Sequence, residues 1–455
     1  MLYTLFIILI TITILRSIIT NFWLFFILKW LNINYKKIIS ESEKNNANHK
    51  FILLIPVLKE QKIINTTIDY FSKLNYKQES FKIFFISTEK EFEDQKVDEK
   101  NTIEIIKNNT LYGSDLIKLL HYPDKKGKMV DQLNFAFDYI LKNETDLDKT
   151  FIGIYNADSR PNIETLNTVS MLATKNNGRV YQQSAVFFDN FNQFKNGNNF
   201  WTEKFLKNNA LLQVRWTLVH EIPRLLRQSF CTNKFNKRIF LSHCIGHGLF
   251  IRSDFLKEIK KMPYHTLTED LFFGYILSLL REPINPIPIM ESAEMPNSFS
   301  MALKQKYVWF FGPFDHFTYK KYFKSHFKNK ANNFLLNWFT LQGIFPAFAW
   351  LLSGWIFLYI FIYPILSVNY NLLLWSILAF GFYAPFAYFI ILCKYEFLNN
   401  LCSKQDKIST QEYLWSLIFS LPTSIIHSVP PIFSIFAKLK SKITKFEPQK
   451  PKTER

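Results

Sequence analysis

Long apolar segments occupy the two ends of the chain, while its middle has the polar spacing of a folded soluble domain. Residues 1–28 are almost wholly apolar, and Arg16 is their one charge. Three later segments are also apolar and long enough to cross or lie in a bilayer: 335–368, 371–393 and 411–437. The pattern predicts four parts: an N-terminal transmembrane anchor at 1–30, a folded domain at 40–330, transmembrane or interfacial helices at 335–437 and a basic cytoplasmic tail at 438–455.

Short apolar runs in the central part predict buried parallel strands that alternate with amphipathic helices. Apolar runs without polar alternation are typical of strands that are buried on both faces. The predicted strands and helices, in chain order, are strand 51–56, helix 62–74, strand 81–87, helix 99–108, strand 116–121, helix 129–142 and strand 151–155. This alternation indicates an α/β fold whose ligands bind at the carboxyl ends of the strands.

The fourth predicted strand runs directly into Asn156-Ala157-Asp158. Side chains alternate along a strand, so Asn156 and Asp158 are expected on the same face. Oxygen ligands at a strand end suit a hard cation such as Mg2+ or Mn2+, held together with substrate phosphates. The alternative is an ordinary turn, since Asp, Asn and Ser-Pro are common turn residues.

The chain is strongly basic, with 55 Lys and Arg against 37 Asp and Glu and a formal net charge of +18. The lysines are scattered through loops without an RNA-binding signature, so no nucleic-acid partner is predicted. Two lysine clusters flank the first and the last apolar segments: Lys29, Lys36 and Lys37, and Lys438, Lys440, Lys442 and Lys445. Such flanks indicate cytoplasmic sides next to anionic lipid, and four cysteines without framework spacing fit a reduced compartment.

Three further patterns follow in the second half of the domain. The segment around Gly246-His247-Gly248 is a turn whose glycines let the backbone approach a ligand closely, and they argue against a helical zinc pair of His243 and His247. Thr268 is a predicted N-cap for a helix that begins with Glu269 and Asp270. Gln305 and Trp309 lie one helical turn apart and share a face, where they either contact a ligand or mark a membrane interface.

The order of these motifs resembles the family 2 glycosyltransferases, membrane-associated enzymes with a nucleotide-sugar-binding GT-A fold. The resemblance covers residues 50–315, and the flanking helices are similar to those of the branch related to cellulose, chitin and hyaluronan synthases. Five landmarks carry it, in the family order: Pro56…Glu60, Gly127-Lys128…Gln132-Leu133-Asn134, Asn156-Ala157-Asp158, Thr268-Glu269-Asp270 and Gln305…Trp309.

The resemblance implies a membrane-bound, inverting glycosyltransferase that uses a uridine-diphosphate sugar and Mg2+ or Mn2+. It implies Asp158 as the metal ligand, with Asn156 as a neutral oxygen donor to the metal or a contact to the donor. It implies Asp270 as the general base, with Glu269 shaping the acceptor site. The other substrate contacts that it implies are Pro56, Glu60, Glu89, Lys128, Gly246, Gly248, Gln305 and Trp309. The acceptor is expected to be a glycan or a lipid.

The chain departs from the family pattern in three places. Asn156 replaces the usual first Asp, Glu89 stands where Asp is frequent, and Val308 replaces the Arg of the last motif. Val308 counts against a processive polysaccharide synthase, which is one alternative function. Asn156 keeps open a second alternative, a non-catalytic membrane scaffold with a GT-A-like fold.

Two membrane topologies of the apolar segments are compatible with the sequence. The first segment lacks the basic start and the cleavage site of a signal peptide, so a retained anchor is predicted. Three further crossings would leave the basic tail outside, against the positive-inside rule. Either one segment lies in the interface, or 335–368 crosses twice. Pro422, Pro430 and Pro431 predict a broken or re-entrant last segment.

Overall fold

A computed structural model describes residues 1–42, 49–93, 100–263, 266–327 and 330–444. Among these residues, the strands are β1 Lys50–Pro56, β2 Phe81–Thr88, β3 Ile117–Tyr122, β4 Thr150–Ile154, β5 Arg160–Pro161, β6 Val180–Val186, β7 Leu249–Arg252 and β8 Ile284–Ser292. They form a single sheet in the order β3-β2-β1-β4-β7-β6-β8-β5.

The helices fall into a group that surrounds the sheet and a group of long apolar helices. The first group is α2 Ile64–Ser72, α3 Thr102–Lys107, α4 Met129–Asn143, α5 Thr165–Asn176, α6 Phe200–Trp216, α7 Ile222–Phe235, α8 Ser253–Ile259, α9 Glu269–Leu280, α10 Phe299–Trp309, α11 Phe311–Phe314 and α12 His316–His326. The second group is α1 Leu2–Ser42, α13 Asn333–Leu366, α14 Tyr370–Tyr383, α15 Pro385–Cys393, α16 Tyr395–Asn400, α17 Gln411–His427 and α18 Val429–Thr444.

The sheet has a parallel half and a mixed half. Strands β3, β2, β1 and β4 are parallel, as the sequence predicts. The prediction of a wholly parallel sheet is wrong for the other half, where β7 runs antiparallel to both β4 and β6. The polar pair Gln182 and Gln183 interrupts the apolar run of β6 and hides it from a hydrophobic pattern, although both side chains are buried.

Strands β1, β2 and β4 are almost wholly buried, which explains their continuous apolar runs, whereas the edge strand β3 is only partly buried. Phe51 and Leu53 of β1 pack into a cluster with Phe250, and Ile52 of the same strand packs into a second cluster on the opposite face. Gly153 of β4 is required by this packing, because a Cβ atom there would lie 2.7 Å from Leu53 and 2.8 Å from Phe250.

Four helical segments among the described residues are long and apolar enough to cross a membrane: Leu2–Glu41, Asn333–Leu366, Tyr370–Cys393 and Gln411–Ser441. The segment at 333–366 is one continuous helix, so the alternative of two crossings within it is wrong. The last segment is broken at Ser428, between α17 and α18, as its prolines predict. Arg16 faces other helices: its guanidinium donates to the hydroxyl of Tyr383 at 3.1 Å.

Candidate active site

One cavity of about 1050 Å³ brings together most of the residues that the sequence singles out in the second half of the domain. Its wall includes residues from the end of β4, from the turn before β7, from the start of α9 and from α10. The predicted site residues in this wall are Asn156, Asp158, Gly246, Glu269, Asp270, Gln305 and Trp309. Residues 112 positions apart along the chain, Asp158 and Asp270, therefore share one cavity.

The loop after β4 is held in place by backbone-directed hydrogen bonds. The backbone N–H of Ser159 donates to the carbonyl of Asn156 at 3.1 Å, which closes a tight turn across the Asn-x-Asp motif. The hydroxyl of Thr67 on α2 donates to the carbonyl of Ala157 at 2.5 Å. Because both bonds fix the backbone, the side chains of Asn156 and Asp158 are presented to the cavity from a braced loop.

Asp270 lies in the first turn of α9, against the turn that contains Gly246. One carboxylate oxygen accepts from the backbone N–H of Leu271 at 2.8 Å. A Cβ atom at Gly246 would lie 3.4 Å from the other oxygen, so glycine leaves room beside the carboxylate. Thr268 precedes the helix as predicted, but its hydroxyl pairs with that of Tyr319 at 2.9 Å and does not cap α9.

Gly248 does not line the cavity and instead anchors the turn to the sheet. Its φ angle is +64°, and a Cβ atom would lie 2.7 Å from the carbonyl oxygen of Gln183. Its N–H donates to the carbonyl of Ile154 at 2.8 Å, and its carbonyl accepts from the N–H of Gln183 at 2.7 Å. The side chain of Gln182 holds the same turn, since it donates to the carbonyl of His247 at 2.8 Å and accepts from the N–H of Ile245 at 2.9 Å.

A buried charged cluster that the sequence analysis missed forms part of the wall, made by His247, Glu291 and Glu221. The Nδ1 atom of His247 forms an ion pair with Glu291, whose side chain is fully buried. Burial alone would lower the pKa of His247, but the charge of Glu291 and its hydrogen bond to the ring oppose that effect, and the pKa is raised to about 9. Glu221 and Asp158 add to that rise.

Glu221 ends a π-helical turn, Thr217–Glu221, that links α6 to α7. Turns of this kind are frequent at functional sites. Burial raises the pKa of Glu221 to about 7, although a hydrogen bond with Ser184 and the charge of His247 oppose that rise. No local sequence pattern marks the π-helical turn, and no sequence signal links the three members of the cluster.

Gln305 and Trp309 lie on α10, one turn apart as predicted, and both line the cavity together with Val308. The side-chain oxygen of Gln305 is buried without a hydrogen-bond partner in the described part of the chain. Lys306, the next residue, is 1% exposed, and burial lowers its pKa to about 7. The helix thus presents an amide with unused hydrogen-bonding capacity to the cavity.

Four residues that the family resemblance implies as substrate contacts lie outside the wall of this cavity: Pro56, Glu60, Glu89 and Lys128. Glu89 pairs with the Nε2 atom of His121 at 2.8 Å, and the N–H of Glu60 donates to Thr102 at 2.9 Å. Met129, which follows Lys128 at the start of α4, does line the cavity.

Glu91, which the sequence analysis did not single out, organises the loops after β1 and β2. It is 1% exposed and accepts from the backbone N–H groups of Lys59, at 2.7 Å, and Thr102, at 2.9 Å. Lys59 has a φ angle of 55°, a left-handed conformation that the bond to Glu91 holds in place. A buried carboxylate therefore holds the loops after β1 and β2 in place.

The residues present fit a divalent cation that is shared with substrate phosphates, and they do not form a cage of protein ligands. Within the described ranges, no group of three or more His, Cys, Asp or Glu side chains could hold a metal ion. Mg2+ usually binds one or two carboxylates and takes its remaining ligands from water and phosphate. Asp158 supplies one carboxylate to the cavity, and Asn156 supplies a neutral amide oxygen.

Solved structures that are similar to the chain are glycosyltransferases. The mannosyltransferase PcManGT from Pyrobaculum calidifontis, in complex with GDP-Man and Mn2+, has 12% identity and a TM-score of 0.41, and the match covers 92% of this chain and 99% of that one. S. aureus TarS 1-349 in complex with UDP-GlcNAc has 12% identity and a TM-score of 0.40, with 86% and 92% covered. No family model and no curated protein sequence matches the chain.

The mixed α/β sheet and the four apolar helices confirm the predicted class, an α/β domain flanked by helices that could cross a membrane.

Proposed function

We propose that this protein is a membrane-embedded, inverting glycosyltransferase that moves a sugar from a uridine-diphosphate sugar to an acceptor hydroxyl. The observation that carries the proposal is the shared cavity, in which Asp158 at a strand end and Asp270 at a helix start face the same space. A carboxylate suited to a cation and a second carboxylate suited to a proton are the two groups that such a transfer requires.

The proposed reaction is a single displacement. The acceptor oxygen attacks the anomeric carbon from the face opposite the diphosphate, and the bond from that carbon to the diphosphate breaks. The electron pair leaves with the diphosphate, and the hydroxyl proton passes to Asp270. A divalent cation held by Asp158 and Asn156 would supply positive charge to the leaving phosphates. Glu269, which is 4% exposed beside Asp270, shapes the acceptor side.

The loops after β1 and β2 are proposed to bind the nucleotide of the donor. The hydrogen bonds that buried Glu91 accepts hold these loops in place, and Pro56, Glu60 and Glu89 lie in or beside them. We assign these residues and Lys128 to the nucleotide side of the site, next to Met129 in the cavity wall. The folded domain and the basic tail are proposed to face the cytoplasm, where nucleotide sugars are made.

Direct binding tests the assignment of Asp158. Purified protein in nanodiscs is titrated with a panel of uridine- and guanosine-diphosphate sugars, with Mn2+ and with EDTA. We expect tight binding of one uridine-linked donor that requires Mn2+, and we expect Asp158→Ala to abolish the part that depends on the metal. Asp69→Ala, an exposed acid on α2, is the matched control. Equal affinity with Mn2+ and EDTA in wild type and Asp158→Ala would contradict the assignment.

A turnover assay on the same protein, with an acceptor added, separates two other functions. A scaffold, which Asn156 keeps open, would bind the donor and never release the nucleoside diphosphate. A processive synthase would give products that lengthen with time, whereas the proposed enzyme adds a single sugar. Val308, which lines the cavity where related synthases are expected to carry Arg, favours single addition.

A further inference from the structure

The cavity reaches beyond the folded domain to the surface of the apolar helix α13. Exposed apolar side chains recur along α13 at three- and four-residue intervals, so they form one stripe on the outer face: Phe334, Trp338, Leu341, Phe345, Phe348, Leu352 and Trp355. Four of them, at 338, 341, 345 and 348, also line the cavity. Leu341 is 61% exposed and Phe345 is 76% exposed, so these side chains form the rim of an opening.

The opening is fixed in place by contacts between α13 and the folded domain. The indole N–H of Trp338 donates to the carbonyl of Ile239 at 3.0 Å, and the amide of Gln342 donates to the same carbonyl at 2.8 Å. Gln342 also accepts from the N–H of Leu241 at 3.1 Å. Because α13 meets the length and composition of a membrane span, this rim would face hydrocarbon, and a ligand could enter it from the bilayer.

Two arginines on α7, Arg224 and Arg227, line the same cavity. Arg224 lies over the ring of Trp216, and Arg227 lies over Trp23 of the apolar helix α1, each at 5.3 Å. Within the described part of the chain, no carboxylate forms an ion pair with either guanidinium. Burial and the neighbouring Arg227 lower the pKa of Arg224 to about 10, so it is still a cation at neutral pH.

We infer that the acceptor is an anionic membrane lipid whose head group carries a phosphate and a hydroxyl. Its hydrocarbon would lie along the rim at Leu341 and Phe345, its phosphate against Arg224 and Arg227, and its hydroxyl toward Asp270. Guanidinium groups are suited to phosphate, and an apolar rim is suited to a hydrocarbon chain. The inference rests on the proposed function, since the hydroxyl oxygen attacks the anomeric carbon, the nucleoside diphosphate leaves and Asp270 takes the proton.

The test measures donor use and lipid product separately. Protein in phosphatidylcholine nanodiscs receives a radiolabelled uridine-diphosphate sugar, with phosphatidylglycerol, diacylglycerol or a soluble oligosaccharide as the acceptor. Release of the nucleoside diphosphate reports donor use, and organic extraction reports lipid product. We expect a labelled lipid with phosphatidylglycerol and a much smaller yield with diacylglycerol.

Matched variants locate the lipid. Leu341→Gln on the rim should raise KM for phosphatidylglycerol about tenfold, the usual scale for losing an apolar contact in a binding site. Leu352→Gln lies on the same exposed stripe outside the cavity and should leave KM unchanged. Arg227→Gln should raise KM for phosphatidylglycerol, and Arg227→Lys should restore part of the affinity.

The outcomes distinguish the two proposals. Absence of donor binding and of donor hydrolysis would overturn both. Donor use with label only in the oligosaccharide would leave the glycosyltransferase standing and overturn the lipid acceptor. Equal yields with phosphatidylglycerol and diacylglycerol would overturn the role of the arginines, and equal effects of Leu341→Gln and Leu352→Gln would overturn entry at the rim.

Discussion

Replacing His247 with Gln would remove the positive charge that is paired with the buried carboxylate of Glu291. The side chain of His247 is 15% exposed and that of Glu291 is 1% exposed, so neither group is well hydrated. Removing one partner of a buried ion pair typically costs about 3–5 kcal/mol, because the remaining charge is left in a medium of low polarity. The His247→Gln variant should therefore be clearly less stable than wild type at neutral pH.

The pH dependence of this difference follows from the pKa of His247, which is 6.5 in the unfolded chain and about 9 in the folded protein. At about 1.4 kcal/mol per pH unit, the charged form is stabilised on folding by about 3 kcal/mol. A raised pKa gives a contribution that is fully present below pH 6.5 and is lost as the pH rises through 9. Glu221, whose pKa is raised to about 7, also lowers stability as it ionises, but it is present in both proteins and does not enter their difference.

The measurement is the free energy of unfolding in nanodiscs, from pH 6 to pH 10, for wild type, His247→Gln and a control. His326→Gln is the control, because His326 is an exposed histidine on α12. The stability of wild type should fall toward that of His247→Gln as the pH approaches 10. A difference between the two proteins that stays constant across this range would show that His247 does not titrate there, and would refute the assignment of the ion pair as charged.

Three further predictions concern catalysis, the backbone and orientation. Asp270→Asn should keep donor affinity and slow transfer by about 100- to 10,000-fold, the usual range for a general base; comparable loss in Glu269→Gln, with Asp270→Asn active, would move the role to Glu269. Gly248→Ala should destabilise the fold by more than about 1 kcal/mol, and by more than Gly197→Ala, which has the same strained φ sign but open space around it; equal losses by denaturant unfolding would contradict the clash. Lys126→Cys, an exposed loop position, should react with an impermeant maleimide only in permeabilised cells, and labelling of intact cells would contradict the cytoplasmic orientation.

The first half of the sheet could be predicted because each of its strands is a local pattern. Strands β1 to β4 begin and end within one residue of the predicted runs, and β1, β2 and β4 are apolar almost throughout because they are buried on both faces. Helix α4 begins at the predicted residue, Met129, and α9 begins at Glu269, directly after Thr268. Patterns of this kind depend only on neighbours along the chain, so they can be recognised without knowing the rest of the fold.

The charged cluster could not be predicted because its members meet only through long-range pairing. His247 comes from a turn, Glu291 from the end of β8 and Glu221 from a π-helical turn. The register of β6 with β8 and the antiparallel pairing of β7 bring His247 and Glu291 together, and Glu221 joins them through its hydrogen bond with Ser184 of β6. Gln182 is a polar residue that a sequence pattern would assign to a loop. It is buried, and its side chain holds the turn of His247 in place.

The sequence also did not show how far the site extends, because the chain changes from mixed to apolar composition near residue 330. A hydrophobic pattern divides the chain there into a folded domain and a set of apolar helices, yet the cavity takes its wall from both sides of that position. Asp270 lies on one side and Phe345 on the other, and the bonds from Trp338 and Gln342 to Ile239 tie the two sides together. A polar reaction centre that opens beside exposed apolar side chains is suited to an acceptor that has both a polar head group and a hydrocarbon chain. For this reason we expect acceptor choice to depend on α13 as much as on the motifs at the ends of the strands.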